Sequence, residues 1–542
     1  MIDSNPVESP QERAVYQFRP ADLLTPTAFA HPVGRFEVRE TPISWVILTG
    51  LYAYKVKKNV HLEFIDASTL KRRRFFCEEE LRLNRRLALD LYVDVVAITR
   101  EAGGLRIGGH GPVVEYAVRM RQFDASQELS ALLEGDTLDE QEFVDLARRL
   151  ARFHEGAPKA SCSKDFSHTT DLHDTVLGNL ATLLSHLDAE TPLPEMGLIV
   201  DWIHDYLHDS LPQLRMREQC GAIRECHGDL HARNVVRWSG QLVPFDALEF
   251  DPKLRWIDVM NDVAFLVMDL MAHKRQDLAF AFLNAYLEHT GDYEGVRHLA
   301  FYSVYRSLVR AMVDSLGAEK GLKHREEFQK RLRMRVQTAN MFVNRPVPTL
   351  FIMHGVSGSG KSWMSEKLVP QLGTIRIRSD VERKRLGGVS ASLLKENAGY
   401  EEGLYTPALS HRTYARLLEC ADSCLKGGFD TIVDAAFLHG ADRRSFADLA
   451  ARGGFHFVIL ACEADLAVLT QRIEQRAEQR VDVSDADLMV LTEQLSTAEP
   501  LSAPERLRAL TLDTTTTPQA CQKAFTAIKD RLASLSLAVP SA

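Results

Sequence analysis

The sequence predicts an α+β bilobal half followed by an α/β half built on a parallel sheet, and three observations carry that prediction. Short strand-like runs crowd the stretch from Ser44 to Phe123, then give way to long helical patterns that continue to about Phe342. Pro346 and Pro348, two residues apart, disfavour helix and mark a connector. Beyond them the apolar runs TLFIMHG, DTIVDAA and HFVILAC alternate with helical segments, the signature of βαβ units. The expected organisation is a loosely ordered leader over 1–33 that could drape over the first domain, a first domain over 34–345 (small lobe to about 123, large lobe from about 124), and a second domain over 346–542.

At 542 residues the chain exceeds what one core usually supports. Apolar residues at 45% and charged residues at 26% match ordinary globular usage, so there is ample material to bury. A formal charge of -9 gives no overall attraction to nucleic acid or to anionic membranes. The eight cysteines form no CxxC pair, and reduced thiols of a cytoplasmic protein are the expected state. No basic segment followed by an apolar run opens the sequence, and no apolar run is long enough to span a bilayer. Neither oligomeric state nor acceptor is legible.

Element by element, SWVILTGLYAYKVKK reads as two short strands around Thr49 and Gly50, and the arginine-rich segment after Ser68 as a helix through Leu87. Strands fit Val93 to Thr99 and Val113 to Arg119. Helices fit LDEQEFVDLARRLARFHEG and MGLIVDWIHDYLHDSL, with strand-like pieces from Ala222 to Cys226 and from Asn234 to Phe245. Helix then resumes from Asp258.

The stretch Gly355 to Ser362 reads GVSGSGKS, a full GxxxxGKS match after the apolar run TLFIMH and before a helical one. Glycines let the backbone curl so that successive N–H groups face phosphates, which assigns Gly355, Ser357, Gly358, Ser359 and Gly360 to nucleotide binding. Lys361 supplies charge to the terminal phosphates, and the Ser362 hydroxyl would hold Mg²⁺. Asp434 ends the apolar strand TIVD, where a carboxylate reaches the sheet edge as a second metal ligand; a helix cap explains it as well. In IRIRSDVERKRL, Asp380 can accept a substrate hydroxyl proton and Arg383 can pair with phosphate or a substrate anion. Arg472, Arg476 and Arg480 recur every four residues, so they share a helical face that could close over the nucleotide or simply be solvated. Together these residues resemble the small P-loop kinases that include gluconate kinase, chloramphenicol phosphotransferase, polynucleotide 5′-kinase and the zeta toxins, over about residues 350–535.

The stretch His227 to Asn234 reads HGDLHARN, and Asp246 follows twelve residues later in LVPFDALEF. A phosphoryl-transfer site needs one carboxylate to orient the acceptor hydroxyl, and an amide oxygen with a second carboxylate to hold Mg²⁺ on ATP. Asp229, Asn234 and Asp246 fill those roles in order. The pattern resembles the protein-kinase catalytic loop with His-Gly-Asp replacing His-Arg-Asp, and is most similar to the aminoglycoside and choline phosphotransferases over about residues 35–340. That resemblance implies a protein-kinase-like first domain followed by a P-loop NTPase domain. It also implies that Lys55 pairs the ATP phosphates, with Lys57 on the same strand face as fallback, that Glu80 is its ion-pair partner, and that Met120 lies near the adenine. Asp258 and Asp262 resemble the family's acids that brace the catalytic loop, and His154 reads as a packed helix-end histidine. No glycine-rich loop follows Ser44 beyond the Thr49-Gly50 turn.

The two resemblances together are those of bacterial bifunctional phosphotransferase and ATP-binding proteins. They imply ATP and Mg²⁺ at both sites and small hydroxylated, sugar-like acceptors. Two other readings stay open: one half gating the other as a nucleotide sensor, and a polynucleotide 5′-hydroxyl acceptor for the second half, motivated by Arg376, Arg378, Arg383, Lys384 and Arg385.

Overall fold

Antiparallel pairing organises the first part of the chain in the computed structural model, which describes residues 18–62, 65–135, 137–160, 168–187, 193–316, 322–388, 406–479, 488–515 and 517–537. Six strands line up in the order Glu37–Glu40, Ser44–Leu48, Tyr52–Lys57, Val113–Arg121, Tyr92–Glu101, Gly104–Ile107, every neighbouring pair antiparallel. Alternation along Tyr52–Lys57 sends Tyr54 and Val56 to one face and Ala53 to the other. Lys55 and Lys57 share the face of Ala53, which packs with Cys77 from the helix Leu70–Asn84.

Two differences from the sequence reading arise here. Residues 18–33 are not a loose leader: Phe18, Leu23, Ala28 and Phe29 are buried in the cluster that covers Ile47, Tyr54 and Val56. Two short 3-10 turns, each opening on a proline, carry them. Residues 1–17 lie outside the described residues. The helix after Ser68 stops at Asn84 rather than Leu87, because Arg86 and Leu87 turn back with three-residue bonds to Leu83 and Asn84.

The contact pattern divides the chain into two compact units. The first holds the described residues from the start to Glu134, with His227–Asp229 and Arg233–Arg255. Its last part is a hairpin, Val235–Trp238 against Gln241–Pro244, closed by Ser239 and Gly240 at positive φ, the two-residue turn that matches strand twist.

The second unit holds Gly135–Cys226, Leu230–Ala232 and the chain from Trp256 onward. Its helical part centres on Val259–Ala272, which is buried from Val259 through Leu270 and is therefore enclosed on every side. Five strands form a wholly parallel sheet in the order Ile375–Arg378, Thr431–Asp434, Thr349–His354, His456–Glu463, Ala509–Asp513. The last strand was not legible as one. Pro346 falls in the link between the helix Leu322–Val343 and the strand Thr349–His354.

Within this unit the helix Gln276–Thr290 caps the sheet edge. Asn284 donates to Thr374 O at 2.9 Å and accepts from Arg376 N–H at 2.6 Å, so one buried amide replaces the missing neighbour strand. Among the described residues no helix is long and apolar enough to cross a membrane.

Candidate active sites

The first site is assembled by the hairpin. Phe245 N–H bonds Asn234 O at 2.9 Å, which carries the ladder one pair beyond the strands and leaves Asp246 beside Asn234. His227 fastens the preceding loop: its Nε2 meets Phe245 O at 2.9 Å and its Nδ1 faces Asp229 N–H at 3.3 Å, an arrangement that suits the Nε2-protonated tautomer. Gly228, at φ +85°, has room for no Cβ, since one would stand 2.7 Å from Leu254 O. Asn234 Nδ2 then donates to both Asp229 O (2.9 Å) and Asp229 Oδ2 (2.8 Å).

Lys55 comes to the same place from the sheet. Its Nζ meets Glu80 Oε1 at 2.9 Å and bonds Asp246 Oδ1. Asp246 is itself a non-glycine residue at φ +63°, held there by Tyr92 Oη, which accepts its N–H at 3.1 Å. Burial pulls the Lys55 ammonium down, but Asp246, Glu80 and Glu249 outweigh it and hold the group well above the usual lysine range. The reciprocal holds for Asp246: burial pushes its carboxyl up, and Lys55 more than offsets that, leaving it below the usual carboxylate range. Both groups are thus charged at neutral pH.

The structure brings Lys55, Glu80, Asp229, Asn234 and Asp246 together, while Met120 is a buried residue of the strand Val113–Arg121. Lys57, the fallback, is buried and bonded to Glu80 and Glu249. Asp258 takes Arg217 through both oxygens (2.5 and 2.7 Å) and caps its own helix. Asp262 pairs with His154 Nε2 at 3.1 Å. The loop residue Ala232 donates its N–H to Asp269 Oδ2 at 2.9 Å, and Arg335 holds the other oxygen at 3.0 Å. An acid mid-helix among apolar residues, MDL, was the available signal for Asp269.

The second site is made of backbone. Gly358 and Gly360 adopt φ +82° and +81°, and a Cβ on Gly358 would stand 3.0 Å from Leu469 O, so the loop lies directly on its neighbour. Lys361 opens the helix Lys361–Leu372, and its Nζ donates to Val356 O at 2.8 Å across the loop. Ser362 Oγ donates to Asp434 Oδ1 at 3.3 Å, and Ser365 Oγ to Asp434 Oδ2 at 3.0 Å. A hydroxyl and a carboxylate at this separation are hard oxygen donors of the kind Mg²⁺ takes.

Of the remaining predicted residues, Asp380 is half-buried in the first turn of the helix Ser379–Leu386, and Arg383 is buried with Nη1 on Ser410 Oγ at 3.0 Å. Arg472 lies on the loop itself: its Nη1 reaches Gly358 O (3.2 Å) and its Nη2 reaches Thr514 O (2.6 Å). Thr514 Oγ1 in turn donates to Ser359 O at 2.8 Å, so residues some distance along the chain clamp the loop. The Arg476 side chain and Arg480 lie outside the described residues. Sequence reasoning missed Ser365, Gln494, whose Oε1 accepts Ser357 N–H at 2.7 Å, and Thr514; only Ser365 carried a signal, one helical turn after Ser362.

Residues 350–501 match the family model described as an AAA domain. The second half is a P-loop domain. Uncharacterized proteins of Mycobacterium tuberculosis and Mycobacterium bovis are each 29% identical over 461 residues, 84% of this chain and 90% of the relative. Among solved structures, a gluconokinase from Sinorhizobium meliloti 1021 is 21% identical with TM-score 0.26, over 35% of this chain and 99% of that one. A choline kinase from Cryptosporidium parvum Iowa II is 12% identical with TM-score 0.35, over 57% of this chain and 90% of that one.

Proposed function

We propose that each half transfers the γ-phosphoryl group of ATP to a hydroxyl of a small molecule, with Mg²⁺ at both sites. The observation that carries the reading is the convergence of Lys55, Asp229, Asn234 and Asp246, the first and last 191 positions apart in sequence, in a chain that also holds a P-loop. At the first site Lys55 binds phosphate oxygens, Asp229 orients the acceptor hydroxyl and takes its proton, and Asn234 and Asp246 would hold the metal. At the second, the loop amides and Lys361 bind phosphates, Ser362 and Asp434 would hold the metal, Asp380 takes the acceptor proton and Arg383 pairs with substrate charge. The metal when bound neutralises charge on the phosphates. Cytoplasmic, sugar-like acceptors fit this chemistry.

The basic segment favours a small acceptor over a polynucleotide end. Arg376 bonds Glu288 at 2.9 Å, Arg378 faces it at 3.7 Å, Arg385 donates to Glu288 O at 2.6 Å and Arg383 reaches Ser410 Oγ at 3.0 Å, so its cations are engaged within the chain. A sensor reading also has an observation behind it: Arg376 spans from Glu288 to Ser362 O, the latter at 3.4 Å.

Asp229→Asn and Lys361→Ala chains, assayed for ATP turnover against a metabolite panel, test the proposal. Each is expected to lose a different phosphorylated product. Unchanged products in both sink the two-site reading, and ATP binding without transfer under every acceptor supports the sensor.

A further inference from the structure

Lys57 is wholly buried, and the period of two in its strand carries it to the face of Lys55. Glu80 stands between the two lysines, Oε1 on Lys55 and Oε2 on Lys57. Lys57 Nζ also meets Glu249 Oε1 at 2.5 Å. Glu249 lies three residues after Asp246, on a stretch with no strand of its own.

That stretch is tied down at several points. Asp246 N–H goes to Tyr92 Oη, Ala247 N–H goes to Asn84 Oδ1 at 2.8 Å, and Arg255 Nη1 donates to Glu249 O at 3.2 Å. One of these anchors, Asn84, belongs to the same helix as Glu80. The pairs therefore form one chain, Asp246 to Lys55 to Glu80 to Lys57 to Glu249, which returns to the segment it started from. A single Lys–Glu pair leaves the carboxylate free to turn about its Cγ–Cδ bond. A second ammonium on the far oxygen removes that freedom.

We propose that Lys57 and Glu249 are positioning residues for the first nucleotide site. They hold Glu80 from its far side and hold the Asp246 segment to the strand, so that Lys55 and Asp246 meet MgATP in fixed register. This rests on reading the first site as an ATP site. It also makes a demand that a merely structural ion pair does not. Replacing both Lys57 and Glu249 by apolar residues removes one charge of each sign, the change that best preserves stability at a buried pair; Glu80 keeps Lys55 on one oxygen but loses the hold on its far one.

The test uses the full chain carrying Lys361→Ala, so that MgATP binding, followed by titration calorimetry, reports the first site; thermal unfolding is measured alongside. Lys57→Met with Glu249→Met is expected to unfold within a few degrees of its parent yet bind MgATP more weakly by about tenfold or more. Glu249→Gln keeps a hydrogen bond to Lys57 and removes only charge. It is expected to weaken binding about threefold, and it decides the matter if the double variant does not fold. Affinity within about twofold of the parent, in the double variant or, where that does not fold, in Glu249→Gln, overturns the proposal. Asp246→Asn in the same background separates the two levels. If MgATP binding in the parent is indifferent to it, the reading of the site itself fails; binding that needs Asp246 but ignores Lys57 and Glu249 sinks the positioning roles alone.

Discussion

The two candidate sites hold charge in opposite ways. At the first, side chains do it: Lys55, Lys57, Glu80, Glu249 and Asp246 are linked by ion pairs across a strand, a helix and a loop. At the second, backbone does it: a loop at positive φ, a helix start, and carbonyls bridged by Lys361, Arg472 and Thr514. A side-chain site fails when one partner is removed, because the others are left charged and buried. A backbone site fails when its curvature is lost, and it tolerates changes in the surrounding side chains better.

The largest effects break the comparison outright. Asp229→Asn is expected to slow the first reaction by about 10²–10⁴-fold while leaving the second intact, read as initial rates of labelled phosphate transfer. Lys361→Ala should do the converse. A single substitution that stops both would mean that the two sites are one functional unit.

Next comes the sheet edge. Asn284→Leu leaves Thr374 O and Arg376 N–H unpaired in a buried place, and about 2–5 kcal/mol of stability should be lost in denaturant unfolding. Stability unchanged would mean water replaces the amide.

A pH titration sharpens the contrast from the side of the loop brace. Burial pushes the Asp269 carboxyl up, but Arg335, His231 and His273 outweigh it and bring its pKa down to about 2. A pKa depressed on folding contributes stability that is fully present above the unfolded value near 4 and is lost as pH falls from there towards 2. Asp269→Asn should flatten the stability profile across that window by roughly 2–3 kcal/mol. An unaltered slope would show that other carboxylates govern it.

The smallest expected effect is local. Gly358→Ala forces a Cβ towards Leu469 O at φ +82° and should cost about 1–2 kcal/mol, appearing as weaker nucleotide affinity at the second site with the first unchanged.

This difference also explains what could be read in advance. Gly355 to Ser362 is contiguous, so its glycines, lysine and serine announce a phosphate cradle without any knowledge of the fold. The first site was legible only through HGDLHARN and the spacing to Asp246; Lys55 and Glu80 came with the resemblance. Glu249 escaped although it is the second acid in the apolar run LVPFDALEF, because nothing local says that Lys57, 192 residues earlier, is waiting for it. The partners of Arg472 escaped for a related reason. Its four-residue repeat with Arg476 and Arg480 fixes a helical face, but only the packed structure shows that its guanidinium ends on Gly358 O and Thr514 O. That the leader drapes over the first domain was open to expectation, but its anchors Phe18 and Phe29 were hidden because two proline-led turns show no period of 2 or 3.6.

The central claim, two separate nucleotide sites of unlike construction, is tested most directly by the binding stoichiometry of a non-hydrolysable MgATP analogue in titration calorimetry. Two molecules per chain are expected, one after Lys361→Ala, one after Asp246→Asn, and none after both. A single molecule bound by the unaltered chain would contradict it.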